Sequence, residues 1–155
     1  MAIQRDPRHA QFAERLLHQV QAHHTLKAPC FYLNPDNSLD AKTIKAGVKY
    51  SFMFRKHATE IVLYLDTSNR LPNKALFDHL AESREAIERR YREPLDRGRQ
   101  DGTVEGAGNT RVSRVRKIVT RVGYLEEQAW PRTQKALLDA MQRLCTASIA
   151  YVATL

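Results

Sequence analysis

Two carboxylates and a lysine are the first residues in this chain whose types could do chemistry. Glu60 and Asp66 fall on the same phase of the alternating stretch TEIVLYLD, and Lys74 follows in the next segment. A metal-dependent nuclease needs an acidic residue and an acid-x-Lys pair close enough to hold one divalent cation. Six residues of extended chain separate the two carboxylates by about 20 Å. Lys74 falls on a helix and completes no motif, so this set is not expected to share an ion.

Histidines and glycines lead no further. His9, His18, His23 and His24 lie in or beside one amphipathic segment, with no carboxylate or cysteine at ligand spacing, and read as surface residues. His57 falls in a turn and His79 on a helix, and no Ser/His/Asp or Cys/His pairing follows from spacing. GAGNT, at residues 106–110, lacks the glycine spacing and the Lys-Ser/Thr of a phosphate loop. No catalytic residue, metal site or cofactor is expected.

Basic residues remain. Arg111, Arg114, Arg116, Lys117 and Arg121 crowd one β-branched stretch, and Arg89, Arg90 and Arg92 close a helix. Guanidinium and ammonium groups so placed can neutralise phosphates and give salt-sensitive binding. Arg114 and Arg116 share a strand face and can reach one backbone together. A structural ion pair of Arg114 with Glu88 or Asp66 is the competing reading.

The whole composition leans the same way. The 155 residues carry a formal net charge of +8 and a sequence pI of about 9.8, which favours polyanionic partners. Hydrophobic residues make up 43% and charged residues 27%, ordinary for a soluble domain with one real core. Cys30 and Cys145 are far apart and form no CxxC, so a reduced cytoplasmic setting is expected. Met1–Arg8 is polar and unlike a secretory leader, and no apolar run is long enough for a membrane span.

The elements that position these groups follow from periodicity. Asp6-Pro7 opens a helix to about His23, with Phe12, Leu16, Leu17 and Val20 on one face. Pro29–Leu33 reads as a short strand, bounded by the turn cluster Asn34–Ser38 and followed by a polar linker. Val48, Tyr50, Phe52 and Phe54 alternate with polar positions, as do Ile61, Leu63 and Leu65, so residues 48–66 predict a hairpin. The aromatic face could stack bases but reads better as core.

A helix capped by Asn73 carries Leu76, Phe77, Leu80, Ile87 and Tyr91, and Glu93-Pro94 ends it. Asp96–Thr110 is Gly-rich and polar, and is expected to be a loop, mobile in the free protein. Arg111–Val122 predicts a strand whose alternation falters after Arg116, as at a bulge. Trp130-Pro131 starts a closing helix with a broad apolar face from Ala136 to Val152.

With these residues in view, the chain resembles a prokaryotic family of domains of unknown function. Members often stand C-terminal to restriction-endonuclease-like nuclease domains, and also stand alone. The resemblance covers roughly the whole chain and is most specific over Tyr64–Leu95. It is carried by Tyr64, Asp66, Asn73, Lys74, Phe77, Leu80, Ile87, Glu88, Leu95, Ser113, Arg114 and Trp130. The family pattern often has an acidic residue where Val62 stands and tryptophan where Arg97 stands, and a shorter segment over 96–110. The resemblance implies an association with DNA processing or defence, and brings no activity with it. The element order also resembles a restriction-endonuclease-like core, but the missing acid at Val62 weakens the nuclease reading.

The expectation is therefore a single α+β domain over residues 1–155, in the order α-β-β-β-α-β-α, with a small, mostly antiparallel sheet covered by helices. It is expected to be a non-catalytic accessory domain associated with DNA or RNA. The alternative is a protein-interaction module or homodimer using the closing helix, and a divalent-metal nuclease is the weakest reading.

Overall fold

The structure is a computed structural model and describes residues 6–23, 31–34, 38–43, 47–65, 78–79, 82–99 and 113–153. The elements are helix α1 (Pro7–Ala22), strands β1 (Tyr32–Leu33), β2 (Leu39–Lys42), β3 (Val48–Phe54) and β4 (Thr59–Leu65), then helix α2 (Arg84–Tyr91). Strands β5 (Asp96–Arg99) and β6 (Ser113–Thr120), a 3-10 turn at Glu127–Ala129 and helix α3 (Trp130–Val152) complete the order. The expected α+β class holds. Six strands form one sheet in the order β1-β2-β3-β4-β6-β5, and every pairing is antiparallel.

Alternation along β3 and β4 decides which face meets the helices. Phe52 pairs with Ile61 and Tyr50 with Leu63, and all four are buried. They join Phe12, Leu16 and Val20 of α1 and Leu137, Met141, Leu144 and Ala147 of α3 in one core. Tyr50 reaches through this layer to bond Ser148 Oγ of α3 at 2.7 Å, and Ser148 donates to the Leu144 carbonyl. The aromatic stripe of β3 is thus core. The opposite phase, which carries Lys49, Ser51, Met53, Glu60, Val62 and Tyr64, forms the outer face of the sheet. Val62 is fully buried, yet it stands apart from the core that α1 and α3 share with the inner face.

Local signals set the helix ends. The Asp6 carboxylate accepts the Arg8 backbone N–H at 2.9 Å, and the Arg8 guanidinium bonds it at 2.7 Å. These bonds from Arg8 hold the Asp6 carboxyl down to about 2. Helix α2 ends where Arg92 turns left-handed at φ 72°, with its N–H on the Glu88 carbonyl, just before Glu93-Pro94. His9 is not a plain surface residue: its ring packs 4.8 Å from that of Phe54 and 4.9 Å from that of Tyr124.

Two stretches correct the sequence reading. Leu39–Lys42, read as a polar linker, is a full strand of the sheet. Asp96–Arg99, read as the start of a loop, is the edge strand β5, with Asp96 opposite Arg116 and Arg99 opposite Ser113. The rest of that stretch, 100–110, lies outside the described residues. So do Pro29, Cys30, Asn73, Leu76, Phe77 and Leu80. The faltering alternation of β6 is a bulge: Thr120 faces Thr59 and Ile118 faces Glu60, leaving Val119 as the extra residue.

The connection from β6 to α3 passes tightly beneath the β3–β4 turn. Tyr124 N–H bonds the Arg55 carbonyl at 3.0 Å. A Cβ on Gly123 would lie 2.1 Å from that carbonyl oxygen and 2.3 Å from the Lys56 carbonyl carbon. Both obstacles are backbone and cannot rotate away. Gly123→Ala is expected to cost about 2 kcal/mol or more, in the upper range of overpacking, read as a lower urea midpoint. An unchanged midpoint would contradict this close approach.

Candidate functional site

Register across the outer face brings together residues that are distant in sequence. One cross-strand row reads Lys42, Lys49, Tyr64, Arg114 and Gly98, from β2 through β3, β4 and β6 to β5. The neighbouring row reads Tyr32, Asp40, Ser51, Val62, Arg116 and Asp96. Strands lie about 4.8 Å apart, so Lys42 to Arg114 spans on the order of 14 Å between backbones. This face is the polar side of an antiparallel sheet whose other side is packed.

Exposure across this face, including the next row of Met53, Glu60 and Ile118, is uneven. Lys42 and Tyr32 are exposed, Lys49, Met53, Tyr64, Arg116 and Ile118 are half-buried, and Asp40, Ser51, Glu60 and Val62 are buried. Two carboxylates are therefore sunk in a cationic face, and each has cations drawn to it.

Asp40, 2% exposed, is the better satisfied. It accepts from the Asn34 amide, from Ser51 Oγ at 2.5 Å and from Lys49 Nζ at 3.0 Å. The Lys49 ammonium also stands 5.5 Å from the Tyr64 ring centroid, within cation–π range. Partial burial works against this ammonium. The Asp40 hydrogen bond and charge, with the phenols of Tyr32 and Tyr64, nevertheless raise its pKa. Tyr64 in turn donates to the Met53 sulfur at 3.1 Å.

Glu60, 4% exposed, sits opposite the bulge. Arg55 Nη2 approaches Oε1 at 3.5 Å and Arg116 Nη1 approaches Oε2 at 3.8 Å. Oε1 receives no hydrogen bond, so on that oxygen the nearby Arg55 charge acts without hydrogen-bond geometry.

The eight basic positions singled out from sequence divide between surfaces. Arg116 lies on the outer face, and the backbone register puts Arg114 two residues away on the same face. Lys117 pairs with Ile61 and so takes the inner phase, where it bonds Glu93 at 3.0 Å beside Arg143 of α3. Those contacts, the Lys117 hydrogen bond first, lower the Glu93 carboxyl below its usual range. Arg89 and Arg90 are exposed on α2, which packs against α3, and Arg92 is exposed at its end. The Arg90 guanidinium lies 5.5 Å from the Tyr151 ring centroid. Arg121 is exposed just past β6, and Arg111 lies outside the described residues.

Sequence reasoning missed Lys42 and Lys49. Their placement follows only from the β2–β3 pairing, closed by a turn where Gly47 adopts φ 83° and Thr43 bonds Val48, and the sequence of β2 offers no alternation by which to find it. Of the nuclease set, Glu60 is held by arginines, while Asp66 and Lys74 lie outside the described residues. Among the described residues no group of three or more His, Cys, Asp or Glu is placed to hold a metal ion. No helix among them is long and apolar enough to cross a membrane.

The geometry defines an α+β domain with one packed face and one charged, tyrosine-bearing face. The chain belongs to the family described as domain of unknown function DUF4268, whose model matches residues 9–152. Nothing matches it among curated proteins or among solved structures.

Proposed function

We propose that this domain is a non-catalytic accessory module that associates with nucleic acid, in the setting of DNA processing or defence that its resemblance to domains behind nucleases implies. The observation that carries the reading is the cross-strand row of Lys42, Lys49 and Arg114 with Arg116 beside it. Four cations from three strands share one face of a chain whose net charge is +8. Phosphate contacts of this kind position a backbone without reading sequence. The buried Asp40 and Glu60 offset part of the charge and hold Lys49 and Arg116 in place.

The test is titration of labelled DNA and RNA at two salt concentrations. Binding should weaken steeply with salt. Lys42→Ala/Arg114→Ala should weaken it further and reduce the log–log salt slope by about 2, one for each phosphate contact. Arg89→Ala/Arg90→Ala, on the packed side, serves as the comparison. Absence of binding at low salt would sink the proposal. An effect confined to the α2 pair would move the surface to that helix.

A further inference from the structure

We infer that the outer face takes a single strand, whose bases stack on Tyr32 and Tyr64 while Lys49 between them meets the phosphate backbone. The inference rests on the nucleic-acid reading above and narrows it.

Large apolar side chains among the described residues are mostly buried or half-buried. Among the described residues Tyr32, 39% exposed, and Ile149 are the exposed exceptions. Tyr32 is on the edge strand β1, opposite Asp40, and therefore on the same face as Lys49 and Tyr64. Asp40, which faces Tyr32 across the β1–β2 pairing, is also the carboxylate that accepts from Lys49, so both residues stand beside one acid. Asp40 fixes the ammonium from below at 3.0 Å, and Lys49 remains 40% exposed at its side chain. The two rings stand three strand spacings apart in the sheet order, on the order of 15 Å between backbones. That separation suits two bases of an extended strand with a cation between them.

The chemistry favours an unpaired strand over a duplex. A duplex offers phosphates along its outside and keeps its base faces stacked, so tyrosine rings on a sheet would gain nothing from it. A single strand offers base faces to any aromatic platform, and every base has one. A purely structural role for Tyr32 is the competing account. An exposed ring on a two-residue strand gains little from packing, which makes that account weaker for Tyr32 than for Tyr64.

The experiment is fluorescence anisotropy at low salt with labelled oligo-dT, labelled oligo-rU and a mixed-sequence duplex of equal length. Single strands should bind roughly tenfold or more tightly than the duplex. Tyr32→Ala should weaken single-strand binding by roughly five- to a hundredfold, the range for losing one stacked base. It should leave residual duplex binding unchanged, and Tyr32→Phe should restore the loss, since stacking needs the ring and not the hydroxyl. The dT and rU arms show which sugar is preferred. Tyr32 lies outside the core, so its variants stay folded, and thermal melts verify this. Duplex binding equal to single-strand binding, or a silent Tyr32→Ala, overturns the inference and leaves the nucleic-acid reading standing. No binding to any of the three sinks both.

Discussion

Trp130→Ala is expected to destabilise the protein by about 3–5 kcal/mol, the range for truncating a large buried aromatic. Trp130 is 2% exposed and is among the largest fully buried side chains. Its indole meets the Phe12 ring edge-on at a centroid distance of 5.5 Å, and the Arg15 guanidinium lies 5.2 Å from its centroid. Its Nε1–H donates to the Tyr124 carbonyl at 2.9 Å, which fixes the bend between β6 and α3. One residue thus ties α1, the connection at Gly123–Tyr124 and the start of α3. Truncation would leave a cavity between two helices and strip a buried carbonyl of its donor. Urea unfolding monitored by far-UV circular dichroism gives the loss as a lower midpoint. Trp130→Phe should cost less, about 1–3 kcal/mol, because it keeps most of the packing and loses only the hydrogen bond and part of the ring. Equal losses in the two variants would show that the indole N–H, rather than the packing, dominates.

The place of this residue is legible in the amino-acid order alone. Trp130-Pro131 marks a helix start, and the apolar spacing behind it predicts the face that is buried. The hairpin of β3 and β4 is legible for the same reason, since strict alternation reports a strand with one side packed. What escapes is structure formed without burial of a periodic apolar face. Strand β5 reads Asp-Arg-Gly-Arg and has no apolar residue; it is a strand because its backbone pairs with β6 at the sheet edge. Strand β2 escapes because Asp40 occupies a buried position, so the alternation of Leu39 and Ala41 is masked by a charge in the pattern. The same carboxylate explains why the outer face is only half visible in the sequence. Arg114 and Arg116 can be placed on one face by counting along a strand. Adding Lys42 and Lys49 requires knowing that β2 exists and how it registers against β3. His9 shows the converse: an isolated histidine at a helical spacing reads as surface, and only tertiary packing sets it between Phe54 and Tyr124.

Asp40→Ala should lower stability by about 2–4 kcal/mol, because a buried hydrogen-bonded charge leaves several partners unsatisfied when removed. The cost is unequally shared. The Ser51 hydroxyl is 2% exposed and loses its acceptor without access to water, and the Asn34 amide loses one as well. Lys49 is 40% exposed at its side chain and can turn into solvent, so its share is small. A double-mutant cycle of Asp40→Ala with Lys49→Met should therefore give a coupling of only about 1 kcal/mol. The conservative Asp40→Asn keeps an acceptor for Ser51 and should cost about 1–2 kcal/mol. Asp40→Asn also removes a negative charge from beneath the lysine that faces the proposed strand. On the nucleic-acid reading, that substitution should tighten low-salt binding to oligo-dT while it lowers the melting temperature. On that reading the group that completes the fold also repels the ligand, so stability and binding are expected to move in opposite directions. If binding weakened in step with stability, the role of Asp40 would be to aim Lys49, and the orientation of the ammonium would matter more than the net charge around it.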